Sequence, residues 1–281
     1  MKKRIFIIVI ITFVLMIFIS SCVVPICNVP KTVLFDNSHN NKGCFDDNVL
    51  TKFATIISIL QTMGYTVNYT SSSGFFPENY GVFIIPIPVT EYTATENQKI
   101  SSFLSKCERK LLVIGEWYDY YDNTPLNNIL TYLGSGISFN NELVQDNVNK
   151  YDSNNSWVIV NNFITHPVTG GLNSIIPFAT TSINVSGNAV SLANTSAVSY
   201  LDAPVFDSST SSNYQEDLKD EKADGIVISG PFCVVAAQSL MSGKIVAVGD
   251  GNIFANGGSI PAGEYIDAAD NEQLFKNIIN W

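Results

Sequence analysis

The chain is poor in the residues that most often carry chemistry. It has two histidines, His39 and His166, in 281 residues. Charged residues make up only 14%, so Asn, Ser and Thr supply much of the polar surface. Cations are scarcer than anions, 15 Lys and Arg against 25 Asp and Glu, for a formal charge of −10. That balance excludes nucleic-acid binding by counterion release, which needs clustered Lys and Arg. No Gly-x-Ser-x-Gly elbow, HExxH, P-loop or strand-linked Gly-x-Gly-x-x-Gly occurs, so the sites those motifs build are missing. No cofactor and no metal is expected. The five cysteines lack CxxC spacing, which argues against a zinc site.

What the chain does have begins at its start. Lys2, Lys3 and Arg4 precede an uncharged run from Ile5 to Ile19, and Ile19-Ser20-Ser21-Cys22 follows. A basic start, a short apolar stretch and small residues at the cut mark a secretion signal. An aliphatic residue, two small ones and a Cys mark a bacterial lipobox. The apolar stretch is shorter than the roughly 20 residues of a membrane-crossing helix. The expectation is a signal peptide over 1–21, acylation of Cys22 and a short tether over 22–30. The competing reading is an uncleaved anchor, because Val23 and Val24 extend the apolar run. Aspartate after the Cys would suggest retention in the inner membrane; Val23 leaves the outer membrane open. At roughly 3.3 Å per residue the tether reaches about 30 Å, so the domain sits near its membrane. Losing 21 residues and their three cations leaves 260 residues with a charge of −13.

Cys27, Cys44, Cys107 and Cys233 remain. Four exported cysteines allow three pairings into two disulfides. Cys27 and Cys44 lie near the domain start and are the expected pair. Cys107 falls on an apolar helical stripe and Cys233 in an apolar run, so both are expected as buried thiols.

From Lys31 buried strands alternate with amphipathic helices. Strands are expected at Thr32–Asp36, Tyr65–Tyr69, Val82–Pro86 and Lys110–Trp117. The first helix, capped by Asp46 or Asp47, buries Val49, Leu50, Phe53, Ile56, Ile57, Leu60 and Met63 at 3.6-residue spacing and stops at Gly64. Thr93 and Glu96 form a capping box for a helix burying Ile100, Phe103, Leu104 and Cys107. Thr124 caps a third helix with Pro125 in its first turn. A late strand covers Ile245–Asp250, and Asp270 caps a last helix. This alternation implies an α/β fold with a parallel sheet and helices on both faces. Residues 135–235 interrupt it with short β-type runs, such as Trp157–Val160 and Ala197–Tyr200. They read as a β-rich section of one domain spanning 31–281, with an exposed acidic loop over 207–224.

Four segments carry a family resemblance in their order. They are Val33-Leu34-Phe35-Asp36-Asn37-Ser38-His39, His166-Pro167-Val168-Thr169-Gly170-Gly171-Leu172, Ile245-Val246-Ala247-Val248-Gly249-Asp250-Gly251-Asn252-Ile253-Phe254, and Asp270 to Trp281. Together they resemble exported prokaryotic proteins with a class I glutamine amidotransferase-like domain. Relatives include auxiliary proteins of gliding-motility ABC transporters and the N-terminal domain of an intraflagellar-transport subunit. The resemblance implies a flavodoxin-like sheet. It implies no activity, because true amidotransferases place a nucleophilic Cys at a strand-to-helix elbow. The equivalent turn here, Gly115-Glu116-Trp117-Tyr118, holds neither Cys nor Ser. That departure argues against amidase or peptidase chemistry of this type.

In open α/β sheets the ligand crevice lies beyond the carboxyl ends of the strands. Asp36, Asn37 and His39 follow the first strand, Glu116 and Trp117 the fourth, and Asp250 and Asn252 the late one. These form the candidate crevice. Trp117, Tyr118, Tyr120 and Tyr121 could stack on a sugar, or pack under the Asn-rich section. His166, before Pro167, is expected to stabilise a turn. Three functions are compatible with these residues. The first is a non-catalytic envelope module that binds a polysaccharide or an envelope protein complex. The second is a carboxylate- or metal-dependent hydrolase, which requires Asp36, His39 and Asp250 to converge. The third is a purely structural lipoprotein whose crevice is filled by the β-rich section.

Overall fold

A computed structural model describes residues 27–42, 49–202, 228–258 and 260–281. Cys22, Cys44, the caps at Asp46 or Asp47 and the loop over 207–224 lie outside those residues. The main sheet has eight strands: β1 (Thr32–Phe35), β2 (Thr66–Tyr69), β3 (Val82–Pro86), β4 (Lys110–Ile114), β5 (Asn162–Phe163), β6 (Val190–Asn194), β7 (Cys233–Leu240) and β8 (Gly243–Val248). Their spatial order is β2-β1-β3-β4-β8-β7-β6-β5. The first five are mutually parallel and the last three antiparallel. The parallel part therefore has the flavodoxin-like order, with its switch point between β1 and β3.

The strands are continuous apolar runs because both faces are covered. Val33, Phe35, Val82 and Ile84 face one core with Ile56 and Leu60 of helix α1 (Ala54–Thr62) and Leu274, Phe275 and Ile278 of helix α4 (Asn271–Asn280). Leu34, Phe83 and Ile85 face the other core, with Ile100 and Phe103 of helix α2 (Ala94–Leu104) and Leu126, Ile129 and Leu130 of helix α3 (Thr124–Leu133). Each fully buried Phe, Leu or Ile contributes about 1.5–3 kcal/mol of transfer free energy. The β-rich section adds β5, β6 and β7 to the same sheet and folds its remaining strands into two-stranded ribbons over the sheet's end.

Several expected boundaries move, each for a local reason. The first helix breaks at Phe53 into Val49–Lys52 and α1. The fourth strand stops at Ile114, because the Asn123 side chain takes both the N–H and the carbonyl of Glu116 and turns the chain. Thr124 lies inside α3; its N–H and hydroxyl are held by Asp122. Asp270 does not cap α4 through its side chain, which accepts from Asn173 N and Ser174 N instead. The strand expected at Ala197–Tyr200 starts only at Tyr200, because Ser199 N turns back to Ser196 O. The capping box of Thr93 and Glu96 is present as expected.

The cysteine pairing is corrected. Cys27 is bonded to Cys107, with Cα atoms 5.9 Å apart. α2 ends at Leu104, so Cys107 lies past the apolar stripe on an exposed turn. Cys233 is a buried thiol as expected, its pKa pushed up to about 11 by burial. The disulfide closes a long loop, so Cys107→Ser is expected to cost about 2–5 kcal/mol in a urea melt. Non-reducing peptide mapping should recover Cys27 linked to Cys107. Recovery of Cys27 linked to Cys44 would refute the pairing.

Candidate functional site

The crevice residues separate into two groups along the strand ends. The first sits at the switch point. Asp36 ends β1 with its side chain fully buried. A buried carboxylate is costly unless hydrogen bonds satisfy its lone pairs. Asp36 accepts from His39 Nδ1 at 2.9 Å, Thr70 Oγ1 at 2.9 Å, Ser38 Oγ at 3.0 Å, Asn41 Nδ2 at 3.2 Å and the Tyr92 hydroxyl. Asn41 also donates to Pro86 O at 2.7 Å, which ties this loop to β3. The other nitrogen of His39, Nε2, lies 3.4 Å from Glu96 Oε1. The His39 ring stacks on Tyr92 at 3.7 Å and meets the edge of Phe75 at 5.5 Å.

Two carboxylates on one imidazole favour its charged form. Burial opposes that charge, yet the bonds and charges of Asp36 and Glu96 raise the His39 pKa above its usual value. Burial likewise opposes the Asp36 charge, but His39, Tyr92 and Thr70 together bring its pKa below the usual range. Burial, with the Asp36 charge beside it, drives the Tyr92 hydroxyl well up, so it stays a donor. Both ring nitrogens of His39 are therefore engaged by carboxylates. Asn37 supports the group from outside: its N–H donates to Thr70 Oγ1 and its Oδ1 accepts from Ser71 N.

The second group closes the ends of β4 and β8. Asp250 is fully buried and accepts from Phe178 N at 2.6 Å, Asn252 N at 2.8 Å and Ile253 N at 3.1 Å. Asn252 Nδ2 donates to Phe178 O at 3.0 Å. Thr181 O lies where a Cβ on Gly249 would be, so that position needs Gly. The β-rich section therefore covers this half of the edge. Glu116 is buried beside Asp250 and accepts from Trp117 N. Burial, then the Asp250 charge, pushes Glu116 well above the carboxylate range. Burial raises Asp250 to about 7 against the three backbone donors. Those donors make Asp250 the ionised partner and leave the proton on Glu116.

Between the groups stands Ile87, the residue after β3. Its φ is 32°, a conformation that strains a β-branched side chain, and prolines flank it on both sides. Ile87 N holds Ile114 O at 2.9 Å, and its side chain leaves no room for a Cβ on Gly251. Among the described residues, Asp36 and His39 converge as the hydrolase reading requires, but Asp250 is not among their partners. Trp117 is half-buried and packs edge-on against Tyr118 and Tyr120 at 5.6 and 5.0 Å. His166 accepts from Val168 N at 3.2 Å, which is a turn bond. Sequence reasoning missed Tyr92, Thr70 and Asn41, and it gave Glu96 only a capping role. The one available clue was position: Tyr92 lies between β3 and α2, and Glu96 in the first turn of α2, beside the switch point. No group of three or more His, Cys, Asp or Glu among the described residues is placed to hold a metal ion.

Neither a protein-family profile nor a curated protein matches the chain. Solved structures do. The mmIFT52 N-terminal domain superposes with a TM-score of 0.62 at 15% identity, covering 89% of this chain and 96% of that one. A cytoplasmic protein, STM1381, from Salmonella typhimurium LT2 gives 0.51 at 10% identity, covering 89% and 98%. A ThuA-like protein from Bacteroides uniformis gives 0.49 at 17% identity, covering 90% and 92%. At such identities the first two likenesses establish a shared fold and nothing about activity.

The two groups have opposite pH signatures. His39 has a raised folded pKa, so its contribution is complete below about 6.5 and is lost as pH rises through the folded value. Asp36 has a lowered one, so its contribution is present above about 3.9 and is lost as pH falls through the folded value. In Asp36→Asn the His39 titration midpoint, followed by proton NMR, should fall, and stability should drop by about 3 kcal/mol. An unchanged midpoint would refute the pairing. Glu116 and Asp250 have raised folded pKa values, so stability declines as pH rises from about 4 towards the Asp250 value of about 7. Glu116→Gln should flatten that decline and leave the variant more stable than the parent at pH 8. Melts that keep the parent slope would contradict the raised Glu116 pKa.

Proposed function

We propose that this protein is a cell-envelope lipoprotein, anchored through acylated Cys22, whose domain binds polysaccharide without catalysis. The observation that carries the non-catalytic part is the engagement of His39. A general base needs a nitrogen lone pair facing a nucleophile. Here Nδ1 donates to Asp36 and Nε2 faces Glu96. The elbow after β4 carries Glu116, whose carboxyl is buried and protonated, where an amidotransferase would carry its nucleophile.

Support for an envelope location comes from the Ser20-Ser21-Cys22 start and from the Cys27–Cys107 disulfide. Stable disulfides form in oxidising, extracytoplasmic compartments. Support for a sugar ligand comes from Trp117 and Tyr120 on the rim of the strand ends, Tyr120 being 42% exposed. Aromatic faces offer a sugar ring a large apolar surface at low entropic cost. An envelope protein partner would use the same rim, and a structural role would need neither.

Metabolic labelling with a palmitate analogue should tag the parent and not Cys22→Ser. In a thermal-shift screen of cell-wall and capsular glycans, a ligand at about 100 times its Kd adds about 2.7 kcal/mol, read as several degrees. Trp117→Ala should abolish that shift. If no glycan shifts the melt, the sugar reading fails. If any glycan is cleaved at a rate that Asp36→Asn abolishes, the non-catalytic reading fails.

A further inference from the structure

The disulfide does more than staple two loops; it decides which end of the sheet meets the membrane. The parallel register puts Lys31, Gly81, Lys110 and Lys244 at one level, the amino ends of β1, β3, β4 and β8. Gly81 N donates to Thr32 O, Lys110 N to Gly81 O and Lys244 N to Arg109 O. Cys107 is three residues before β4 begins, so it lies on this same edge. Glu108 N donates to Ser242 O in the turn between β7 and β8, which places the turn's Met241 alongside. Asp36, Ile87 and Glu116 lie at the other ends of these strands.

Bonding Cys27 to Cys107 therefore fixes the incoming chain at the amino edge. Five peptide units from Cys22 to Cys27 span at most about 18 Å fully extended, against about 30 Å for the whole tether. The edge also has suitable chemistry for an anionic headgroup layer. The exported domain is strongly acidic, yet Lys31, Lys106, Lys110 and Lys244 gather here, with Lys244 paired to Glu108 and Arg109 buried beneath. Lys31 and Lys106 are exposed, and Met241 in the turn between β7 and β8 is 51% exposed. The carboxyl edge carries Glu91, Asp119 and Asp122 on its exposed loops, while the amino edge has Glu108 beside Lys244.

We infer that the Cys27–Cys107 disulfide holds the amino edge of the sheet, through Lys31, Lys106 and Met241, against the lipid headgroups, and turns the Asp36–His39 edge away from the membrane. This rests on the reading of Cys22 as the lipid anchor. Basic side chains near an anionic surface attract it within a Debye length. The short tether keeps them in that range.

The test uses the full-length, acylated protein in vesicles of phosphatidylethanolamine and phosphatidylglycerol. A donor fluorophore is placed by bioorthogonal labelling at Met241 or at Val89, which is exposed beyond β3. Energy transfer is read to a headgroup-bound acceptor. Transfer at 241 is expected to be several-fold greater than at 89. In the Cys27→Ser, Cys107→Ser double variant the two values should converge while flotation with the vesicles persists. Mild reduction of the labelled parent should do the same, which covers a variant that folds poorly. If the protein does not float with the vesicles, the anchor itself fails and the orientation with it. If it floats but 241 and 89 transfer equally, the orientation alone is overturned. A difference that survives loss of the disulfide overturns its role as the orienting bond.

Discussion

The Asp36 carboxylate is the constraint from which the rest of the strand-end geometry follows. It is fully buried just after β1 and collects donors from five side chains on three segments. Thr70 comes from the turn after β2, Asn41 from the loop that also holds Pro86 O of β3, and Tyr92 from the approach to α2. His39 passes the connection on to Glu96 in the first turn of α2. One charge thus registers two neighbours of β1 and the helix that follows β3. In a low-dielectric site such a network is rigid when every member is satisfied and costly when one is missing. The same arrangement that makes Asp36 look catalytic in a sequence commits it to architecture.

The second buried pair is a separate electrostatic system because the fold insulates it. Ile87 follows β3, which lies between β1 and β4 in the sheet. Its aliphatic side chain packs where Gly251 leaves room. The strain in the Ile87 backbone is offset by its bonds to Ile114 O and from Lys42 N. With β1 and β8 thus divided, Asp250 spends its lone pairs on Phe178, Asn252 and Ile253. It fastens the β-rich section over the sheet's end. The enzyme reading needed Asp250 on the Asp36 side; the order of strands in the sheet forbids it.

Much of the fold was legible in the sequence, because buried parallel strands have an apolar signature that needs no partner to read. Val82–Pro86 is identical in expectation and structure. The Thr93–Glu96 capping box is local chemistry and appears as expected. What was not legible depends on side chains meeting across the chain. The fourth strand looked longer than it is, because nothing in Lys110–Trp117 announces that Asn123 will reach back to Glu116. Asp270 looked like a helix cap until Asn173 and Ser174 came within reach of it. Cys107 looked buried because its helix looked three residues longer. The candidate site divided in the same way. Strand-end carboxylates can be named from a strand's last residue, but Tyr92 and Thr70 join Asp36 only once β2, β1 and β3 lie side by side.

The two ends of the sheet carry different kinds of information. At the carboxyl edge the titratable groups at the strand ends, Asp36, His39, Glu116 and Asp250, are buried, and solvent meets the aromatic rim and the acidic loops around it. At the amino edge the cations are local and shallow, and a covalent bond delivers the chain's start to them. Lys110 and Lys244 also bond Ile279 O and Trp281 O, so the same edge fixes the end of α4. A helix's carboxyl end has a negative partial charge, and cations stabilise it there. The cations that close the last helix therefore lie on the same edge as the Cys27–Cys107 disulfide. Loss of either lysine would loosen the fold and weaken that edge's charge together, so neither substitution could separate the two roles. Met241 touches the end of α2 and not that of α4, through exposed contacts of its sulfur with Ser101 and Ser105, so a probe there reads the orientation without removing either lysine.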